Sequence, residues 1–357
     1  MAPEKIRASV GTAAALGLLP VRVTAPPTTA YLMLYASRRC AANCGFCPQA
    51  RGSTSQLDHL SRVNWPPFRL ERVAESLSKV ASEGKVKRAC VQTLNYPGMF
   101  DDLVGVVSRL KAAAPVVKVS CAVSPLTRKQ FETLRGVGVE RVGVALDACT
   151  PELFERVKGR GGDDTGGDGT GGADGDGSHR WQRHLAAMDD ALEVFGRGFV
   201  STHFIVGLGE TEQELLEALE AVLRKGVLPS LFAFTPVKGT RMESEKPPPL
   251  LKYRKMQLGR FLLATKNGAV DQWEFSGDGT LKSFHVSPGD LRKIVELGTP
   301  FQTAGCPNCN RPYYTSSPGG PQYNFPAPLS AEEKEEVYGQ LLPFCDQRDW
   351  RVAAGER

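Results

Sequence analysis

Apolar residues fall in short, nearly unbroken runs separated by stretches with helical spacing, and the alternation recurs six times. "AYLMLYAS" (30–37), "VKRACVQTL" (86–94), "VVKVSCAV" (116–123), "ERVGVALD" (140–147), "GFVSTHFIVGL" (198–208) and "PSLFAFTPV" (229–237) read as buried strands. Helices are predicted near 69–83, 100–113 and 127–136. A further helix opens at "TPELFERVKG", with Thr150 as N-cap and Pro151 at the first helical position. In "TEQELLEALEAVLRKG" Thr211 and Glu214 form a capping box. Six β-α units whose strands are apolar on both faces predict a parallel sheet covered by helices. The expected fold is α/β, a TIM-like (β/α) barrel, complete or nearly so.

Three segments stand outside the pattern and set the expected organisation. Residues 1–29 form an N-terminal extension, in which "KIRASVGTAAALGLLP" reads as a packed helix ahead of the barrel rather than a secretory signal. The barrel spans 30–270 and is interrupted by "GRGGDDTGGDGTGGADGDGS" (159–178), read as a flexible insertion. Its Gly/Asp alternation lacks the apolar position of a calcium-binding nonapeptide repeat. From 271 to 357 the alternation fades into a C-terminal extension, with a hairpin in "GDGTLKSFHV", a capped helix in "SPGDLRKIVELG" and an acidic helix near 330–341.

Composition narrows the class. The chain has 357 residues, 41% hydrophobic and 23% charged, as expected of a globular enzyme rather than a fibre or a disordered tail. A net charge of +5 with scattered basic residues is no nucleic-acid signature, and no run of 18 apolar residues is present to span a membrane. Nine cysteines, grouped as 40/44/47 and 306/309, indicate metal binding in a reducing compartment, and a cytoplasmic protein is expected.

The cysteines carry the chemistry. "RRCAANCGFCPQA" places Cys40, Cys44 and Cys47 at C-x3-C-x2-C spacing directly after the first strand, at the face of a parallel barrel where active sites sit. Three thiolates hold three irons of a 4Fe–4S cluster and leave the fourth open. The other reading is structural zinc, because Cys44/Cys47 and Cys306/Cys309 together spell two C-x2-C pairs. Zinc ribbons close over roughly 15–20 residues, however, and zinc leaves Cys40 unused. The motif resembles the radical S-adenosylmethionine superfamily. That resemblance implies that the open iron binds the amino and carboxylate groups of S-adenosylmethionine. It also implies reductive cleavage to a 5′-deoxyadenosyl radical that abstracts hydrogen from unactivated carbon. Phe46 would then shelter the adenine.

Later segments are similar to biotin synthase over roughly residues 30–240. By that similarity Cys90 and Cys121 fall where a second, sulfur-donating cluster is ligated, and Asp147 faces the cofactor ribose. The backbone near Gly207 and Gly209 in "FIVGLGET" lies against adenine, and Arg183 and His184 of "RWQRHL" either reach the cofactor carboxylate or belong to an ordinary solvated helix face. The chain departs from that family at Ser201, where the third barrel cysteine falls, and at Ala145, in place of an asparagine. It also carries "GCPNCNRPYY", which biotin synthase lacks. This run, with "PPTTAYLMLY", "LNYPGMFDD" and "RWQRHL", resembles one subunit of the two-protein lipoyl synthases. The resemblance implies sulfur insertion into an octanoyl chain carried by a lipoyl-carrier domain. The partners it implies are a homologous radical S-adenosylmethionine subunit and an electron donor such as ferredoxin or flavodoxin. Cys306 and Cys309 would then help hold the second iron–sulfur cluster, completed by Cys90 or Cys121. The alternatives are sulfur insertion into a free small molecule and a non-catalytic iron–sulfur or zinc scaffold. His203 is either a core histidine or a ligand contact. Asn310, Arg311, Tyr313 and Tyr314 either orient a bound group or pin the extension, and Cys149 and Cys345 are expected to be small buried side chains.

Overall fold

The computed structural model describes residues 2–159, 178–316 and 319–346; all but the end residues of the predicted 159–178 insertion therefore lie outside it. Six parallel strands, Thr29–Leu34, Arg88–Gln92, Lys118–Val123, Val139–Val144, Val200–Val206 and Leu228–Ala233, pair in chain order, and below they are the first to sixth strands. Each lies inside a run expected from the sequence or within a residue of it, and is shorter than that run. At the free edge of the first strand two short antiparallel strands, Lys5–Ala8 and Pro67–Arg69, extend the sheet to eight. Among the described residues the sixth strand and Pro67–Arg69 end the order without pairing to each other. Residues from all six parallel strands nevertheless line one cavity, so the sheet curls around it as a TIM-like α/β barrel that is nearly complete.

Helices take the expected places, Leu70–Ser82, Met99–Ala113, Arg128–Gly136, Pro151–Lys158 and Glu212–Lys225, and a further helix, Ser178–Phe195, carries "RWQRHL". Thr150 caps its helix through Leu153 N at 3.1 Å, and the Thr211/Glu214 box is formed in both directions. Strand alternation separates the two faces. On the fifth strand Ser201, His203 and Ile205 border the cavity, while Val200, Phe204 and Val206 are buried toward the helices. Helix Leu250–Ala264 follows the sixth strand and packs on Glu212–Lys225.

At the N-terminus a helix is present, Val10–Ala15 capped by Ser9, but a strand precedes it. Four residues are too few to show a period, and only pairing with the first strand makes Lys5–Ala8 extended. The C-terminal extension forms a hairpin that begins ahead of "GDGTLKSFHV", Glu274–Phe275 pairing with Leu281–Ser283, and the helices Pro288–Leu297 and Ala331–Leu341. Buried polar ties hold it to the barrel: Arg254 donates to Tyr323 O (2.8 Å) and Gln322 O (2.5 Å), and Glu212 accepts from Leu281 N at 2.8 Å.

The stretch around Cys306 and Cys309 runs beneath the N-terminal ends of the strands. The Thr28 and Thr29 hydroxyls, at the start of the first strand, donate to Asn308 O at 2.6 and 2.9 Å. Arg88, at the start of the second, donates to Pro307 O at 3.3 Å and to Ser120 Oγ at 2.7 Å. The extension thus closes the end of the barrel opposite the Cys40–Cys47 loop.

Candidate active site

The first strand ends at Leu34 and leads into the Cys40–Cys47 loop, which is pinned on every side. Cys40 N donates to Gln49 O (3.0 Å), Ala41 N to Asn95 O (2.8 Å), and Gly45 N to Val157 O (2.7 Å) at the end of helix Pro151–Lys158. Buried Gln49 donates to Leu57 O and His59 O at 2.8 and 2.5 Å. A Cβ on Gly45 would stand 2.9 Å from the Arg241 guanidinium, which itself holds Val157 O at 3.2 Å. A side chain there would therefore push the Arg241 guanidinium away from Val157 O. Cys40 Sγ accepts from Asn95 N at 3.1 Å. Burial pushes the Cys44 thiol up to about 11, with Lys158 opposing, and raises Cys47 as well, with Cys44 adding to it. Loading metal here must release those protons.

Two thiol groups emerge. Cys44 and Cys47 act electrostatically on each other and on Cys40 and Asp147. Cys90 interacts instead with Cys306, Cys309 and Cys121. Cys47 borders one end of a cavity of about 200 Å³, and Cys90, Cys306 and Cys309 border the other. The wall between is chiefly apolar, with Phe46, Ile205, Phe232 and Phe234. Among the described residues no three His, Cys, Asp or Glu side chains are placed to hold one metal ion. In a cluster each thiolate binds its own iron, so its sulfurs stand wider apart than around one ion. Three cysteines on one loop suit a cluster by their number and sequence spacing, whereas the C-x2-C pairs sit in separate groups and do not form a zinc ribbon.

At the closed end Tyr31 Oη lies 3.4 Å from Cys309 Sγ and Ser120 Oγ 3.4 Å from Cys306 Sγ, while Gln92 Nε2 donates to Cys90 Sγ at 3.1 Å. Cys121 departs from expectation. It borders the cavity, but it is one residue out of phase with Ser120 and Ala122, and it lies 1% exposed with Val91 and Val142 in the core toward the helices. The period of two turns it away from Cys90, whose register partner is Ser120. Ser201 stands on the cavity wall, as its strand position implies.

Asp147 borders the cavity beyond the fourth strand with φ +69°, and its backbone bridges to the fifth strand through His203 O and Ile205 N, both at 2.8 Å. Lys158, whose value as a site residue the sequence did not reveal, donates to Asp147 Oδ2 at 2.8 Å and to Ala145 O at 2.7 Å. Burial would lower its pKa, but the charges of Asp147 and Cys44 outweigh burial and raise it. As the last residue of a helix it looks like any dipole-complementing lysine, so no local signal marks it.

Arg183 is exposed and does not border the cavity; its helix turns the next residue, His184, inward onto the Phe154 ring at 4.9 Å. Gly207 and Gly209 also lie off the cavity. Their φ values are +99° and +113°, and added Cβ atoms would meet Pro248 Cδ at 2.8 Å and Arg156 Nη2 at 2.3 Å. Glu210 holds this turn by accepting from the amides of residues 207, 208 and 209 at 2.7, 2.9 and 3.1 Å. Ile205 is the member of "FIVGLGET" that reaches the cavity.

In the extension Arg311 is brought fully into the site. Its guanidinium lies 3.9 Å from the Phe232 ring centre and donates to Ala304 O at 2.5 Å. Tyr314 packs tilted against Tyr31 and edge-on against Trp65, with ring centres 5.3 and 5.8 Å apart, and lines the cavity. Asn310 and Tyr313 instead tie the extension to Thr28 and Thr24. His203 faces the cavity, and Cys149 and Cys345 are buried.

A family model described as the Radical SAM superfamily matches residues 34–222, more than half of the chain. The chain belongs to the radical SAM superfamily. As a radical SAM protein it is an enzyme of a family that uses a 4Fe–4S cluster and S-adenosylmethionine. It is 24% identical over 232 residues to biotin synthase from Desulforudis audaxviator (strain MP104C), covering 63% of this chain and 62% of that relative's length. Two solved structures are also similar. The FeFe-hydrogenase maturase HydG from Carboxydothermus hydrogenoformans has a TM-score of 0.47 at 16% identity, over 66% of this chain and 51% of that one. Methylornithine synthase has a TM-score of 0.47 at 14% identity, over 66% and 62%. Among the described residues no helix is long and apolar enough to cross a membrane.

Proposed function

We propose that this radical SAM protein inserts sulfur into an octanoyl chain borne by a lipoyl-carrier domain, as one component of a two-protein lipoyl synthase. The observation that carries the reading is one chiefly apolar cavity bordered by Cys47 of the first thiol group and by Cys90, Cys306 and Cys309 of the second. In it Cys40, Cys44 and Cys47 hold the cluster that binds S-adenosylmethionine. Cys306, Cys309 and Cys90 hold a second cluster. Together these groups supply hydrogen abstraction at unactivated carbon and a source of sulfide. The chain's own residues arrange the reaction. Phe46 offers an apolar face to adenine, and Asp147, fixed by Lys158, faces the ribose. The apolar wall takes an alkyl chain and keeps water from the reacting carbon. The homologous partner subunit, the carrier domain and a ferredoxin- or flavodoxin-like donor of single electrons belong to the same proposal.

Similarity to biotin synthase supports a second reading, sulfur insertion into a free small molecule. Against it, two thiols of the second group come from the extension and Ser201 holds the fifth-strand position. Iron and sulfide in the anaerobically reconstituted protein test the cluster assignment. About eight irons are expected in the parent, and about four in either the Cys40/Cys44/Cys47 triple-alanine or the Cys306/Cys309 double-alanine variant. Four in the parent and none in the triple variant would remove the sulfur-insertion reading. Substrate class is decided by product on an octanoylated carrier domain with the partner subunit present. Product on dethiobiotin instead would favour the second reading.

A further inference from the structure

Lys158 stands where a charge bears on the cluster loop without being part of it. Its side chain is 11% exposed and its carboxylate partner Asp147 is 13% exposed, so little water screens either one. Two of the three ammonium N–H groups are committed, to Asp147 Oδ2 and Ala145 O, which fixes the nitrogen in place. The preceding residue is tied to the loop itself, because Val157 O accepts from Gly45 N at 2.7 Å, between Cys44 and Cys47. The helix end that carries the lysine is therefore hydrogen-bonded directly to the cysteine loop. The ammonium charge also acts on the Cys44 and Cys47 thiols.

We propose that Lys158 is the cation that sets how readily the cluster on Cys40, Cys44 and Cys47 accepts an electron, with Asp147 as the anchor that keeps it there. The inference rests on the assignment of those three cysteines as ligands. Reduction by a low-potential one-electron donor adds one negative charge to the cluster and makes or breaks no bond. A fixed positive charge nearby, in a poorly screened site, stabilises the reduced form over the oxidised one. A neutral side chain of similar length removes that preference and leaves the loop's backbone hydrogen bonds in place. Lys158 is a positioning residue in this scheme, since it acts through the cluster.

The test uses the full chain, anaerobically reconstituted with Cys306 and Cys309 replaced by alanine so that one cluster remains. Lys158→Met, Lys158→Gln and Lys158→Arg are compared with this parent by iron content, by redox titration of the reduced-cluster EPR signal, and by S-adenosylmethionine affinity. The expected result is full iron content throughout, a midpoint potential shifted negative in Met and Gln, and a potential near the parent's in Arg. Unchanged potentials in loaded Met and Gln variants overturn the proposal, and weakened cofactor affinity at unchanged potential would assign Lys158 to the cofactor carboxylate. Loss of iron in both neutral variants, with Arg loaded, overturns it in favour of a role in cluster assembly. A parent that binds no iron through Cys40, Cys44 and Cys47 brings down the ligand assignment itself, a result visible before any Lys158 variant is compared.

Discussion

His203 points its ring into the cavity, packed edge-on against Phe232 at 5.0 Å, where burial favours the neutral imidazole. Burial, reinforced by the Arg311 charge, lowers its pKa to about 4 from 6.5. Between those values the unfolded chain binds more protons than the folded one, so stability falls as pH drops from 6.5 toward 4. At pH 5 the loss relative to pH 8 amounts to about 2 kcal/mol from this residue. Denaturant unfolding of the parent and of His203→Gln checks it. The parent should lose more stability than the variant between pH 8 and pH 5, and equal losses would rule out a buried neutral histidine. At the same scale the sequence showed which residues are thiols but not where each points. One position separates Ser120, beside Cys306, from Cys121, buried on the opposite face, and only the strand's register decides between them. Arg183 and His184 are separated in the same way by about 100° around their helix.

Elements were legible where their period is long and their caps local. The six strands and the capping box at Thr211 follow from pattern and turn chemistry, which need no partner. Lys5–Ala8, Pro67–Arg69 and helix Leu250–Ala264 were not marked. The first two are too short for a period, and the helix buries residues all around, Arg254, Lys255 and Gln257 included, so its polar letters hide it. Lys255 joins that helix to Glu212, which also accepts from Leu281 N at 2.8 Å in the hairpin. Lys255→Met should leave a buried carboxylate unpaired and cost about 3–5 kcal/mol, with much of that recovered in Lys255→Met/Glu212→Leu. Chemical denaturation of the two variants measures it. Equal stability of the single and double variants would show that the pair does not act as a unit.

The molecule as a whole is a barrel open to the Cys40–Cys47 loop at one end and stopped by its own C-terminal extension at the other. Asn310 helps hold that stop, accepting from Thr28 N at 3.1 Å and donating to Pro26 O at 3.0 Å. Asn310→Ala should cost about 1–3 kcal/mol and speed proteolytic cleavage between residues 303 and 316. An unchanged cleavage rate would mean that the Cys306–Cys309 segment is held by other contacts. The chain's letters alone determined the β-α alternation, the C-x3-C-x2-C loop at the active end of a parallel barrel, and the existence of a second C-x2-C pair. These depend on neighbours within a few residues, through side-chain period, capping and ligand spacing. That Cys306 and Cys309 lie against Cys90 rather than Cys47, that Cys121 turns outward, and that Lys158 reaches Asp147 beside the first loop was decided only by the tertiary structure. Each depends on pairing register and on contacts across tens to hundreds of residues, which the closing of the sheet and the return of the extension beneath it bring about.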